Sequence, residues 1–273
     1  DWLHIDDLLS APYNVVYLPY PIHLTSETAR TLREWVERGG TLISEGCPAY
    51  FGDRGRAGTV QPNLGLDELF GAREQHVEFT PDISDDVTFS FDAGGAVTAD
   101  IPGALHLQAY APTTGRAAGV YKEGYGYAGA PGGLPAVVEH TFGQGRTLLI
   151  GTSPGAARHR AATPIQRRHT PAGTTYHSHQ VADLHGASPQ DRHTAAQSFF
   201  AALLTWASVT PHVRTSVPAI IARLHHDPDA NHTFLWSLNP TREPHETTLT
   251  IPATGQSLTL TIPARDAVIT PLS

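Results

Sequence analysis

The sequence predicts an α/β protein: an open parallel sheet carrying a β excursion, followed by a small antiparallel β-sandwich. Three observations predict it. Residues 15–44 read as strand, helix, strand within about 30 residues, the unit of a right-handed parallel crossover. Beyond Pro211 the pattern changes to short strands separated by turn residues, with no helical periodicity among them. The 273 residues suit two cores better than one. We set the first domain at residues 1–212 and the second at 213–273.

Taking the elements in order, Trp2 to Ile5 reads as a short strand, with a turn at Asp6 to Leu9. Val15-Val16-Tyr17-Leu18 is a continuous apolar run bounded by Pro12 and Pro19, as in a strand buried on both faces. Thr25 stands at an N-cap position with Glu27 in the first turn, where negative charge complements the helix dipole. Ala29, Leu32 and Val36 then recur at helical spacing, Trp35 widens the stripe, and Gly39-Gly40 ends it. Thr41 to Ser44 is the next strand. A parallel sheet needs helices on both faces, so this unit predicts a further strand and helix upstream of Asp1.

A short helix is predicted at Leu66 to Leu69. Period-two stretches at Val87 to Phe91 and Leu105 to Tyr110, and the turn-rich Gly124 to Gly133, form the β excursion. Gly143-Gln144-Gly145 joins two strands as a hairpin, the second returning to the main sheet. Residues 155–193 hold six of the sixteen histidines without periodicity and read as a long loop. Ser198 to Val209 is a helix ended by Pro211. The tail carries strand candidates at 220–224, 232–238, 247–251, 258–262 and 267–269, the economical reading being a sandwich.

Composition narrows the function classes. Apolar residues make up 40% and charged residues 16%, a folded chain rather than a disordered one. A formal charge of -8 gives no general attraction to nucleic acid or anionic lipid. The single cysteine excludes an internal disulfide. No run reaches the roughly 18 apolar residues of a membrane span, nor resembles a signal peptide, so a cytoplasmic location is expected. Methionine is absent, even at position 1, which predicts that residue 1 is not the translation start.

Several clusters could carry chemistry. Cys47 follows a strand, and His159, by chain order, is its one plausible base for nucleophilic catalysis. Against that, Pro48 removes a backbone N–H that an oxyanion hole would use, and no helix start follows. His177 and His179 are the tightest histidine pair, but without cysteine partners or i, i+4 spacing they read as solvated loop, and no metal is expected. Asp227, Asp229 and Asn231 lack the glycine and distal glutamate of a calcium loop. Glycines 39, 40, 143 and 145 do not make a nucleotide fingerprint, and no cofactor is expected. Tyr50, Phe51, Tyr121, Tyr125 and Tyr127 lie on glycine-rich segments of the kind found at subunit contacts. Trp236 offers a ring that could stack on a sugar.

Four stretches taken together resemble the part of family 42 β-galactosidases beyond their catalytic barrel: residues 13–19 with 25–44 (YNVVYLP, TSETARTLREWVERGGTLIS), 63–71 (NLGLDELFG), 135–152 (PAVVEHTFGQGRTLLIGT), and the tail from HTFLWSLNPT to PARDAVITPL. The resemblance implies a trimerisation domain with a flavodoxin-like, class I glutamine amidotransferase-like fold, joined to a small C-terminal β domain. It further implies a homotrimer or other homo-oligomer, and an upstream catalytic barrel on the same polypeptide. In such enzymes two carboxylates about 5 Å apart carry out retaining hydrolysis, both on the barrel, so no catalytic residue is transferred to this chain. The histidine-rich stretch departs from the family. Two rivals are a free-standing amidotransferase-like enzyme using Cys47 and a carbohydrate-binding accessory module.

Overall fold

The structure is a computed structural model that describes residues 2–79, 87–122, 133–157, 189–227, 229 and 231–272. The chain divides into two compact units, Asp1–Ala207 and Ser208–Ser273.

In the first unit β1 (Val15–Leu18) leads through α1 (Ser26–Glu37) to β2 (Thr41–Ser44), paired in parallel from Val15↔Thr41 to Leu18↔Ser44. The Thr25 hydroxyl caps α1 by accepting from the Thr28 N–H at 3.1 Å. Thr25 therefore satisfies one of the N–H groups that a helix start leaves without an intrahelical partner. Ala29, Leu32, Trp35 and Val36 form the buried face of α1. Each large side chain so buried contributes about 1.5–3 kcal/mol. α2 (Leu66–Phe70) adds Leu66, Leu69 and Phe70 to the same core, which Leu42, Val138 and Leu149 close from the sheet.

The chain then runs through β3 (Ala72–Phe79), β4 (Val87–Asp92), β5 (Val97–Gly103), β6 (His106–Pro112) and β7 (Arg116–Val120) before β8 (Pro135–Phe142) and β9 (Gly145–Ile150). β3 pairs with β6 and β4 with β5, both antiparallel, giving the β excursion. The main sheet has the order β1-β2-β9-β8-β7. Its β1-β2-β9 part is parallel, but β8 and β7 run antiparallel to their neighbours, so the expected open parallel sheet holds for that part only and the sheet as a whole is mixed. The reason is the hairpin itself. A two-residue turn at Gly143-Gln144 pairs Phe142 with Gly145, so a tight reversal places β8 beside β9 in opposite sense. Gly145 cannot be otherwise, since a Cβ there would fall on the carbonyl oxygens of Val36 and Gly40.

Two further expectations change. The opening residues form a 3-10 turn at Ile5–Asp7, seeded by His4, rather than a strand. The last helix of the unit, α3 (Pro189–Trp206), begins nine residues before the predicted start. Its Phe199 is fully buried and meets Phe89 and Phe91 edge-on, at centroid distances of 5.5 and 5.6 Å. That contact ties α3 to the excursion.

The second unit holds β10 (Arg214–Thr215), β11 (Ile221–Asp227), β12 (His232–Asn239), β13 (His245–Ile251), β14 (Gln256–Ile262) and β15 (Asp266–Leu272). They form two three-stranded antiparallel sheets, β10-β13-β14 and β11-β12-β15. Ile220, Leu235, Leu249 and Ile262 fill the space between the sheets. Asn239 is fully buried and donates to the carbonyls of Glu243, Ile262 and Pro263, which holds the turn after β12 in place. Among the described residues no helix is long and apolar enough to cross a membrane.

Candidate functional site

The C-terminal ends of β1, β2 and β9 lie side by side, the edge of an open α/β sheet at which ligands and reactive groups gather. Glu45, the first residue past β2, is 3% exposed. Its Oε1 accepts from the Tyr17 hydroxyl at 2.7 Å and from the Gly155 N–H at 3.2 Å. Burial raises its carboxyl above the usual range, and these bonds offset part of the rise. Glu45 thereby fastens the segment after β9 to β1.

Cys47 follows, in a left-handed conformation with φ 59 that costs a non-glycine residue about 1 kcal/mol. Its N–H donates to Gln108 Oε1 on β6 at 2.6 Å, and the Tyr110 hydroxyl donates to the same oxygen. Gln108 Nε2 in turn donates to Glu74 Oε2 on β3 at 2.6 Å. The thiol itself is 1% exposed; burial, with the Glu74 carboxylate nearby, pushes it up to about 12. A thiol so placed stays protonated at neutrality, whereas a nucleophile must be thiolate. The proposed base His159 lies outside the described residues. His106, fully buried beside Gly46 and stacked on Tyr20 at 5.2 Å, is held neutral because burial lowers it to about 4. The arrangement braces a loop.

The same loop carries Tyr50 and Phe51, whose rings meet edge-on at 5.4 Å. Phe51 exchanges backbone hydrogen bonds with Ile22 and Leu24 and remains 37% exposed; Val60, which the sequence reading missed, is 40% exposed. A hollow of about 230 Å³ opens here, lined by Tyr50, residues 57–61, Arg73 and Glu74. Tyr121 does not join them. It is 2% exposed and its hydroxyl donates to the Gln108 carbonyl at 3.1 Å, so its ring is spent inside the fold and its proposed place at a subunit contact is corrected. Tyr125, Tyr127, His177 and His179 lie outside the described residues. Among the described residues no group of three acidic, histidine or cysteine side chains is placed to hold a metal.

A larger hollow, about 380 Å³, lies where β8 and β9 meet the end of α3. Glu139 accepts there from Arg116 Nε at 2.8 Å and from Trp206 Nε1 at 3.0 Å, while the Arg146 guanidinium sits 4.6 Å over the Trp206 ring. These groups satisfy one another. No short motif announces them, because the participants come from elements far apart in sequence.

The fold and this edge define a sheet-rich α/β module whose polar groups are turned to bracing loops. Residues 5–164 match the family model described as the β-galactosidase trimerisation domain, and the chain belongs to that family. Among solved structures it is similar to the β-galactosidase of Bacillus circulans sp. alkalophilus, with 15% identity, a TM-score of 0.64, and coverage of 96% of this chain and 33% of that one. For the cold-adapted β-galactosidase of Rahnella sp. R3 the values are 14%, 0.64, 95% and 32%. For the polyextremophilic β-galactosidase of the haloarchaeon Halorubrum lacusprofundi they are 15%, 0.53, 96% and 31%. The chain thus spans about a third of the length of each. No curated protein sequence matches it.

Proposed function

We propose that this chain is the non-catalytic, oligomer-forming portion of a β-galactosidase-like glycoside hydrolase, assembling as a homotrimer beside a catalytic barrel carried on the same polypeptide. The match of residues 5–164 to the trimerisation domain carries this reading. The parallel β1-β2-β9 segment supports kinship with flavodoxin-like and amidotransferase-like sheets, and the two sheets of the second unit support a sandwich domain appended to it. Tyr50 and Phe51, with the hollow beside them, are the subunit contacts we assign in the first unit, because they combine a half-buried and an exposed aromatic ring with a backbone held by hydrogen bonds. Cytoplasmic residence accords with a lone, buried, free thiol.

The test is direct. The purified chain, incubated with a nitrophenyl β-galactoside, releases no nitrophenol above buffer; release that follows the protein through purification would overturn the assignment. Changing Phe51 to Ser should weaken self-association while the far-UV spectrum stays the same.

A further inference from the structure

The second unit presents two outer faces of opposite character. On β10-β13-β14 the outward pairs are Glu246↔Thr261, Thr248↔Thr259 and Thr250↔Ser257, with the last two joined hydroxyl to hydroxyl at 3.1 and 3.0 Å. Water solvates such a face readily. On β11-β12-β15 the outward rows begin Ile221, Leu238, Ala267 and continue Arg223, Trp236, Ile269. Ile221, Trp236, Leu238 and Ile269 are each 42–50% exposed. The register is not at fault, since the inward neighbours Leu235, Ser237 and Asn239 are buried. A contiguous apolar face of this kind marks an interaction surface.

We propose that the outer face of β11-β12-β15 docks against a second copy of this chain, as a subsidiary contact within the oligomer; the inference rests on the trimerisation reading. Its size points to an occupant already held in place. Three strands about 4.8 Å apart and about six residues long at about 3.4 Å each present roughly 300 Å². A free-standing association needs about 800 Å² per partner. A neighbouring copy retained by other contacts meets that condition, and in a ring of three the contact is heterologous, so the face need not match itself. Charge agrees. Arg223 stands on this face in a chain whose formal charge is -8, so the face offers a guanidinium to an acidic neighbour.

The experiment is tryptophan oxidation of the full chain, read by peptide mapping, across a dilution series whose mass is followed by light scattering. Trp2, 97% exposed, is the internal reference. Trp236, 47% exposed in the single chain, is slower than Trp2 even in the monomer; in the oligomer the ratio of the Trp236 rate to the Trp2 rate should fall several-fold further, and on dilution it should return to the monomer value. An oligomer in which Trp236 reacts as it does in the monomer would overturn the docking proposal and leave the trimerisation reading standing. A monomer at every concentration would sink both. A further fall of that ratio at monomer mass, produced by added oligosaccharide, would also overturn it, because the cover is then not a second copy. The double variant Trp236→Ser with Ile269→Ser should raise the half-dissociation concentration by about tenfold or more, while Thr248→Ser on the opposite face leaves it unchanged; equal behaviour of the two would contradict the proposal.

Discussion

The side-chain oxygen of Gln108 accepts the backbone N–H of Cys47 at 2.6 Å, and so one residue of the excursion holds the left-handed turn that leads from β2 to the Tyr50-Phe51 pair. Gln108 also receives the Tyr110 hydroxyl and donates to Glu74. Replacing it with Leu leaves two buried donors and one carboxylate without their partner, and a buried unsatisfied group costs about 1–3 kcal/mol. Gln108→Leu should therefore lower stability by about 2–4 kcal/mol, seen as a fall in the urea midpoint. A loss within experimental error would show that the network does not brace the loop.

Gly151, just past β9, lies against β6 so closely that a Cβ would fall on the Gln108 carbonyl. Gly255, at φ 72, has nothing within 4 Å of the same position. Gly151→Ala must move backbone, at a cost of about 1–3 kcal/mol or more. Gly255→Ala bears only the left-handed penalty of about 1 kcal/mol. Paired thermal melts should rank the two accordingly, and the reverse order would contradict the close approach of β6 and β9.

Cys47 offers a chemical readout. With its thiol pushed up to about 12 by burial and by Glu74, the thiolate fraction at pH 8 is of order 10⁻⁴. Native protein should resist iodoacetamide over the time in which protein in guanidinium reacts fully, as intact mass would report. Rapid labelling of the native chain would revive the amidotransferase alternative.

The acid limb of stability should carry the signature of His106. Burial lowers its imidazole from 6.5 to about 4, so between those values the unfolded chain binds a proton that the folded chain does not. Stability from this group is therefore present above pH 6.5 and is lost as the pH falls toward 4, by roughly 3 kcal/mol in all. Glu45 acts with opposite sign: burial raises its carboxyl, so its folded-state proton is retained above 4.5 and stability declines as the pH rises past that value. Urea midpoints at pH 7, 5.5 and 4.5 should fall less steeply for His106→Asn than for the natural chain. Identical slopes would show that His106 does not remain neutral in the fold.

The local elements were legible in the sequence because each is specified by its own few residues. Thr25, the apolar stripe at Ala29, Leu32 and Val36, and the Gly143-Gln144 turn define α1 and the β8-β9 hairpin without help from elsewhere. The hairpin implied an antiparallel neighbour for β9, but the place of β9 beside β2 and of β7 at the far edge was not legible, because it depends on segments nearly a hundred residues apart. The burial of Tyr121 was hidden for the same reason: its hydroxyl partner is the main chain of Gln108, which no side-chain pattern can announce. The first half of α3 escaped because the sequence from Pro189 to Gln197 offers no apolar stripe. The Cys47-Gln108-Glu74 bracing shares no motif, only proximity.

The measurement that bears most directly on the whole account is the mass of the purified chain by sedimentation equilibrium over a wide concentration range. The account predicts convergence on three times the 29.3 kDa of one chain as concentration rises. A mass that stays at 29.3 kDa throughout would contradict it.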